Sequence, residues 1–153
     1  MIVRKARLTD VEAMHQLVNN YANKGLMLSR PRIVFYECIR DFAVAEEAGK
    51  ILGAGALHVM WEDLAEIRAL AVHEECQGQG IGRKIVEFSL QEAKNLGIPK
   101  VFTLTYKPEF FKKLGFQEVS KDNMPQKVWQ ECINCPKFPN CDEICLEYNL
   151  DLS

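Results

Sequence analysis

The sequence predicts an α/β (α+β) fold in which helices flank a mixed central sheet. Short runs rich in β-branched and aromatic residues occupy the middle of the chain, and segments with apolar residues at helical spacing lie on either side of them. Elements that interleave in this way favour helices packed on a sheet. The 153 residues suit one domain, 1–153, with a cysteine-rich C-terminal segment at 129–148.

The N-terminal part predicts one strand followed by two helices. Residues 2–8 alternate well enough for a strand. The segment Thr9-Asp10-Val11-Glu12 has the spacing of a capping box, and the helix after it is expected to stop near Gly25. Pro31 suits a first helical turn, so we expect a second helix with one face formed by Val34, Phe35, Cys38 and Ile39.

The rest of the chain predicts further strands and the longest helix. The strands are expected at 42–46, 51–60, 64–72, 100–106 and 116–119. The longest helix is expected at 81–96, because apolar residues recur on one side of it and Gly97 follows. A short helix should start at Pro108 and end near Gly115.

Charge and hydropathy narrow the classes of function. The formal net charge is −2 and no basic run occurs, which argues against binding to nucleic acid or anionic membranes. The longest apolar stretch, 51–61, contains His58 and is too short to span a bilayer. The N-terminus lacks the apolar core of a signal peptide. We therefore expect a cytoplasmic protein with no nucleic-acid or membrane partner.

The most informative segment is a glycine-rich turn between the strand at 64–72 and the helix at 81–96. Glycines at 78, 80 and 82 remove side chains where a ligand would meet Cβ atoms, and a helix N-terminus attracts anions such as pyrophosphate. A Walker loop needs Gly-Lys followed by Ser or Thr, whereas Arg83-Lys84-Ile85 follows Gly82. A dinucleotide-binding turn needs a different glycine spacing. A flexible turn without a ligand is the remaining alternative.

Two segments resemble the GCN5-related N-acetyltransferase (GNAT) superfamily. Gln77-x-x-Gly80-x-Gly82 after Leu70-Ala71-Val72 resembles its acetyl-CoA motif, and Phe110-Phe111 with Gly115-Phe116 resembles its aromatic-x-x-x-Gly-Phe segment. The resemblance implies a GNAT fold whose mixed, mostly antiparallel sheet holds acetyl-CoA in a cleft between two splayed central strands. It implies cofactor contacts from Leu70, Ala71, Val72, Gln77, Gly78, Gln79, Gly80, Ile81, Gly82, Arg83 and Phe111.

Acetyl transfer requires a base, and Glu66 is the candidate. Strand alternation places Glu66, Arg68, Leu70 and Val72 on one face, with Glu66 one short span upstream of the acetyl carbonyl that the resemblance positions along 70–72. A backbone N–H there would stabilise the oxyanion. The alternative is a surface carboxylate paired with Arg68 or a lysine.

The acid that protonates the thiolate is left unassigned. Many family members carry a tyrosine in the short helix, but Phe110 and Phe111 occupy that region here, and neither can donate a proton. Tyr106 lies close in sequence and could equally be a core or rim aromatic.

The choice of amine rests on a narrower resemblance. The segments 26–30, 36–42, 66–72, 104–111 and 124–129 are similar to short-form N-acetylglutamate synthases, which acetylate the α-amine of glutamate in arginine biosynthesis. Such a substrate requires cations facing two carboxylates. Arg30 matches the substrate-segment arginine of that family and Arg68 shares a face with Glu66, while Lys127 is weaker. Both arginines could instead be surface charges.

Other functions stay open at this point. The acceptor could be another amino acid, a polyamine or a protein N-terminus, and the domain could instead sense acyl-CoA or metal without turnover. Four cysteines, Cys132, Cys135, Cys141 and Cys145, could bind a metal, form a redox pair or disulfides, or be inert. The oligomeric state, including a homodimer, is likewise open.

Overall fold

The computed structural model describes residues 1–121 and 143–152. In this part of the chain, seven strands form one sheet and four α-helices flank it. The strands are β1 (Ile2–Lys5), β2 (Phe42–Glu47), β3 (Lys50–Trp61), β4 (Leu64–Val72), β5 (Lys100–Thr105), β6 (Gln117–Val119) and β7 (Ile144–Asn149). The helices are α1 (Val11–Ala22), α2 (Arg32–Glu37), α3 (Ile81–Leu96) and α4 (Pro108–Lys113).

The sheet is mixed and mostly antiparallel, as predicted. Its strand order is β1-β2-β3-β4-β5-β7-β6, and among these strands only β4 and β5 pair in parallel. The parallel pairing runs from Leu64 opposite Lys100 to Glu66 opposite Phe102. Beyond it, the hydroxyl of Thr103 donates to the carbonyl of Ile67 at 2.9 Å. Past Ile67 no register pair joins the two strands within the described residues, so they splay apart.

The helices divide the sheet into two faces. On the first, which we call the α1 face, Met14 of α1 and Phe35 of α2 pack with Phe42 and Val44 of β2. On the second, the α3 face, α3 and α4 cover the sheet with Val86, Ala93 and Phe111. Each core is formed by the apolar residues that the helical spacing brings to one side. No helix in the described ranges is long and apolar enough to cross a membrane.

Several predicted boundaries agree with the structure and others do not. The predicted strand at 64–72 and helix at 81–96 are found without change, while β1 ends earlier, at Lys5. The predicted capping box is absent. The carboxylate of Asp10 accepts from the N–H of Arg7 at 2.7 Å and from Arg4, and Glu12 instead binds Arg32. The N-terminal turn is therefore stabilised by a side chain from β1.

The sequence analysis missed strand β7. This strand lies between β5 and β6 and is antiparallel to both, with Leu146 opposite Thr103. Cys145 and Leu146 are buried in it. Its identity as a strand depends on two neighbours that are distant in sequence, so local alternation carried too little signal to predict it.

Candidate active site

Strand β4 carries a bulge where β5 leaves it. Between the register pairs that Arg68 and Ala71 make with β3, β4 has two residues, Ala69 and Leu70, where β3 has only Gly55. Ala69 has φ 56°, a left-handed conformation. A non-glycine residue in this region costs on the order of 1–3 kcal/mol, and such strain concentrates at functional sites. Bulges of this kind re-aim the strand next to a site.

The bulge corrects the predicted alternation. Arg68 lies opposite Ala56, which packs in the core of the α1 face, so Arg68 and Glu66 point to that face. After the bulge Ala71 packs with α1, whereas Leu70 and Val72 pack with the apolar residues of the α3 face. The expectation that Leu70 and Val72 share a face with Glu66 is therefore wrong, because the additional residue inverts the alternation.

The glycine turn has the backbone geometry that only glycine adopts readily. Gly80, at the start of α3, has φ 80°, in the left-handed region. The residues before α3 are solvent-exposed, so their N–H groups are accessible beside the positive end of the helix dipole. These exposed residues are Gln77, Gly78, Gln79 and Gly80, whereas Ile81 and Gly82 are buried in the first helical turn. Arg83 is exposed and binds Glu87 at 2.8 Å.

The two family-like segments meet at Gly82. A Cβ added to Gly82 would lie 3.1 Å from the ring of Phe110 and 3.6 Å from the side chain of Val72. Phe111, the residue predicted to contact the cofactor, is 4% exposed and packs edge-on against Phe116 in the core. Phe110 is therefore the ring of this segment that reaches the turn.

Tyr21 connects helix α1 to this turn, and its role was missed by the sequence analysis. The buried hydroxyl of Tyr21 donates to the carbonyl of Val72 and accepts from the side-chain amide of Gln77. Glu74, two residues after Val72, forms an ion pair with Lys24, which follows α1. Nothing in the local sequence around Tyr21 indicated that its hydroxyl had partners.

The candidate base is held by the candidate substrate-binding arginine. Nη2 and Nε of Arg68 donate to Oε1 of Glu66 at 2.6 and 3.0 Å. The two side chains are 13% and 17% exposed. The alternative to a base, a surface carboxylate paired with Arg68, thus agrees with the structure in one respect only. Glu66 is paired with Arg68, but its side chain is largely buried.

Arg30 and Arg68 both act on one thiol. Burial and the Asp41 carboxylate raise the pKa of the Cys38 thiol, while the Arg68 and Arg30 guanidinium groups lower it. Two cations that are far apart in sequence thus lie within electrostatic range of the same side chain.

Asn19 of α1 orients the segment that carries Arg30, and this residue was also missed. The Asn19 carbonyl oxygen accepts from the backbone N–H of Arg30 at 3.1 Å and from the Ser29 hydroxyl at 2.7 Å. Its amide donates to the carbonyl of Arg30 at 3.1 Å. In the sequence, Asn19 is an ordinary polar helix residue, and nothing nearby indicated that it binds residues 29 and 30.

The metal question depends largely on residues outside the described ranges. Cys132, Cys135, Cys141 and Lys127 are not among residues 1–121 and 143–152. Within those ranges, no group of three or more His, Cys, Asp or Glu side chains is arranged to hold a metal. The metal and redox alternatives for the cysteine segment thus stay predictions.

A splayed parallel strand pair, a bulged strand and a glycine turn at a helix start together define an N-acetyltransferase. The family model of the acetyltransferase (GNAT) domain matches residues 38–118. The chain belongs to this family, which confirms the resemblance and the predicted fold class.

Two relatives and one solved structure extend this result. An uncharacterised N-acetyltransferase of Chlorobaculum tepidum is 44% identical over 94% of this chain and 93% of its own length. An amino-acid acetyltransferase of Mycobacterium tuberculosis is 39% identical over 99% of this chain and 82% of its own length. N-acetylglutamate synthase of Neisseria gonorrhoeae, complexed with coenzyme A and N-acetyl-glutamate, has a TM-score of 0.90 at 26% identity. This similarity covers 98% of the present chain and 35% of the synthase chain.

Proposed function

We propose that this enzyme transfers the acetyl group of acetyl-CoA to the α-amine of L-glutamate, in the cytoplasm, as a step of arginine biosynthesis. The observation that carries the proposal is the largely buried Glu66–Arg68 pair on β4 just before its bulge, while the Arg30 charge acts, like that of Arg68, on the Cys38 thiol. One carboxylate among cations suits an acceptor that brings an amine and two carboxylates. The amino-acid acetyltransferase of M. tuberculosis and the Neisseria synthase support an amino acid as acceptor.

The donor is expected to lie along β4. Past Ile67 the β5 side of β4 has no register partner within the described residues, so an extended pantetheine chain can hydrogen-bond there as an added strand would. Its pyrophosphate would bind backbone N–H groups of residues 78–83, at the exposed turn and the start of α3. Tyr21 supports this placement, because it holds the end of β4 and the start of the turn in one hydrogen-bonded unit.

The chemistry assigned to the chain is proton removal and charge stabilisation. The acceptor amine must become neutral to attack the thioester carbonyl, and Glu66 would take its proton directly or through a water. A backbone N–H in the segment 69–72 would stabilise the oxyanion that develops on the carbonyl. Reference thiols titrate near 8.5, so the departing CoA thiolate needs only limited assistance.

Arg68 would serve both the base and the substrate. Its contact with Oε1 orients the Glu66 carboxylate, and its charge would lie near the position where a substrate carboxylate binds. Arg30, held through its backbone by Asn19, would supply the second cation. The predicted substrate-binding pair thus has a physical basis as two charges fixed by different elements.

Thiol release from acetyl-CoA tests this function. Purified, reduced protein is assayed with a panel of free amino acids, polyamines and a peptide N-terminus, while CoA binding is measured separately by calorimetry. Saturable turnover with glutamate is the expected result. Turnover with other amines but not with glutamate would refute the acceptor and leave the acetyltransferase intact. CoA binding without any turnover would favour the sensing alternative.

A further inference from the structure

A histidine and an aspartate lie next to the candidate base without a role in the chemistry above. Nδ1 of His58, on β3, lies 2.7 Å from Oδ2 of Asp41, which ends the 3-10 turn Ile39–Asp41 before β2. Their side chains are 28% and 27% exposed, so water reaches both. The pair is therefore neither a fully buried structural contact nor an open surface contact.

His58 is also the cross-strand partner of Glu66. The two residues lie directly opposite each other in the antiparallel β3–β4 ladder. Opposed residues have Cβ atoms roughly 4.5–5.5 Å apart and point to the same face, so their side chains interact. The charged groups that the contacts and the ladder place against His58 are Asp41, from the 3-10 turn, and Glu66, on β4. Arg68 reaches this group through its contact with Glu66.

Glu66 and His58 differ in how far their side chains are exposed to water. Glu66 is the more buried and Arg68 holds its Oε1, whereas His58 is about twice as exposed to water. A proton that reaches Glu66 must leave before the next turnover. His58 offers the adjacent titratable group in the direction of solvent, and imidazole changes charge within the physiological pH range.

We propose that His58 relays to solvent the proton that Glu66 removes from the acceptor amine, an inference that rests on the proposed role of Glu66. Asp41 would accept a hydrogen bond from Nδ1–H of His58, which leaves the lone pair on Nε2 to receive the proton. Asp41 then stabilises the imidazolium until it releases the proton to water. His58 acts through Glu66 and is a positioning and relay residue.

The protons balance over one turnover. An acceptor ammonium carries three N–H bonds and the amide product carries one, so two protons leave the nitrogen as the C–N bond forms and the C–S bond breaks. One neutralises the CoA thiolate. The other passes from Glu66 to Nε2 of His58 and then to water, which regenerates the carboxylate and the neutral imidazole.

The test combines variants with a buffer series. His58→Ala is expected to lower kcat by about 10- to 100-fold, less than the 10²–10⁴ that a direct base contributes. The KM for acetyl-CoA should stay unchanged, and added imidazole should restore turnover in a saturable manner. His15→Gln, which removes a histidine of α1, is the matched control and should behave as the wild type. An undiminished kcat in folded His58→Ala, or a loss that imidazole does not restore, would overturn the relay.

Two further variants keep the test decisive. If His58→Ala fails to fold, His58→Gln replaces it, and its kcat should rise with the concentration of buffer base while that of the wild type does not. Buffer-independent, undiminished turnover of His58→Gln would overturn the relay alone. Full turnover of Glu66→Gln would overturn the base, and the relay with it.

Discussion

Two hydrogen bonds from the guanidinium of Arg68 end on one oxygen of Glu66, Oε1, at 2.6 and 3.0 Å. This contact fixes the orientation of the carboxylate on the α1 face of β4, before the bulge at Ala69 inverts the strand. Because the pair is mostly buried, it is screened by water far less than an exposed ion pair. The geometry fixes the carboxylate in one orientation, which the proposed base needs in order to meet the acceptor amine.

The first prediction concerns the base. Glu66→Gln keeps an oxygen that can accept from Arg68 but cannot take a proton, so turnover should fall by roughly 10²–10⁴. Binding of CoA, measured by calorimetry, should be unchanged. Glu62→Gln, an exposed position in the same hairpin, is the matched control and should keep wild-type turnover. A fully active Glu66→Gln would show that another group is the base.

The second prediction concerns the acceptor. Arg30→Met should raise the KM for the amino acid, because a charge-assisted hydrogen bond contributes about 1.5–3 kcal/mol, or about 10- to 100-fold. The KM for acetyl-CoA should not move. Arg32→Met removes an exposed arginine that binds Glu12 and should leave both constants as they are. An equal effect of the two variants would mean that Arg30 acts only through general charge.

The third prediction concerns the connection between α1 and the glycine turn. Tyr21→Phe removes the hydroxyl that contacts both Val72 and Gln77, so the turn loses a fixed point and the KM for acetyl-CoA should rise. The free energy of unfolding should fall by about 1 kcal/mol for each lost hydrogen bond. Tyr36→Phe, at a largely exposed position, is the control. An unchanged KM in Tyr21→Phe would restrict this tyrosine to a structural role.

The fourth prediction concerns stability in acid. Hydrogen bonds from Arg4 lower the pKa of Asp10, and this outweighs the opposing effect of burial. Since the pKa is lower in the folded state, the stabilisation is complete above the unfolded value of about 3.9 and is lost as the pH falls through the folded value. Asp10→Asn should lower the free energy of unfolding at neutral pH by about 2 kcal/mol and flatten the acid side of the stability curve.

Chemical denaturation across pH measures this effect. Glu12→Gln serves as its control, because the Glu12–Arg32 pair is exposed and should contribute little. If Asp10→Asn and Glu12→Gln change the pH dependence of stability equally, the Arg4–Asp10 contact contributes no more to stability than an exposed ion pair does.

Local signals were sufficient where they agreed with one another. The helix at 81–96 has regular apolar spacing and ends at Gly97, whose φ of 78° suits glycine. The strand before it and the glycine turn between them were therefore predictable, and so was the family. The prediction of the capping box was wrong because Glu12, its carboxylate, binds Arg32 from a different element instead.

Contacts between distant segments were beyond local prediction. The bulge at Ala69 depends on pairing with β3, and it decides that Leu70 and Val72 face away from Glu66. Asn19 and Tyr21 look like ordinary helix residues in the sequence, and their partners lie in other segments: Arg30 is 11 residues from Asn19, and Gln77 is 56 residues from Tyr21. Strand β7 likewise forms through pairing with β5 and β6 on either side of it.

By itself the sequence predicted the chemistry of this protein: a glycine turn that would suit a pyrophosphate, a strand that carries a carboxylate, and arginines that would suit an acidic acceptor. These features depend on residue type and short-range spacing, which the chain carries locally. Only the tertiary structure decided which of them meet. Backbone pairing across the sheet sets the splay of β4 from β5 and the inversion at Ala69, and hydrogen bonds with Asn19 of α1 hold the backbone of Arg30. Such long-range contacts form only when the sheet and its helices assemble together.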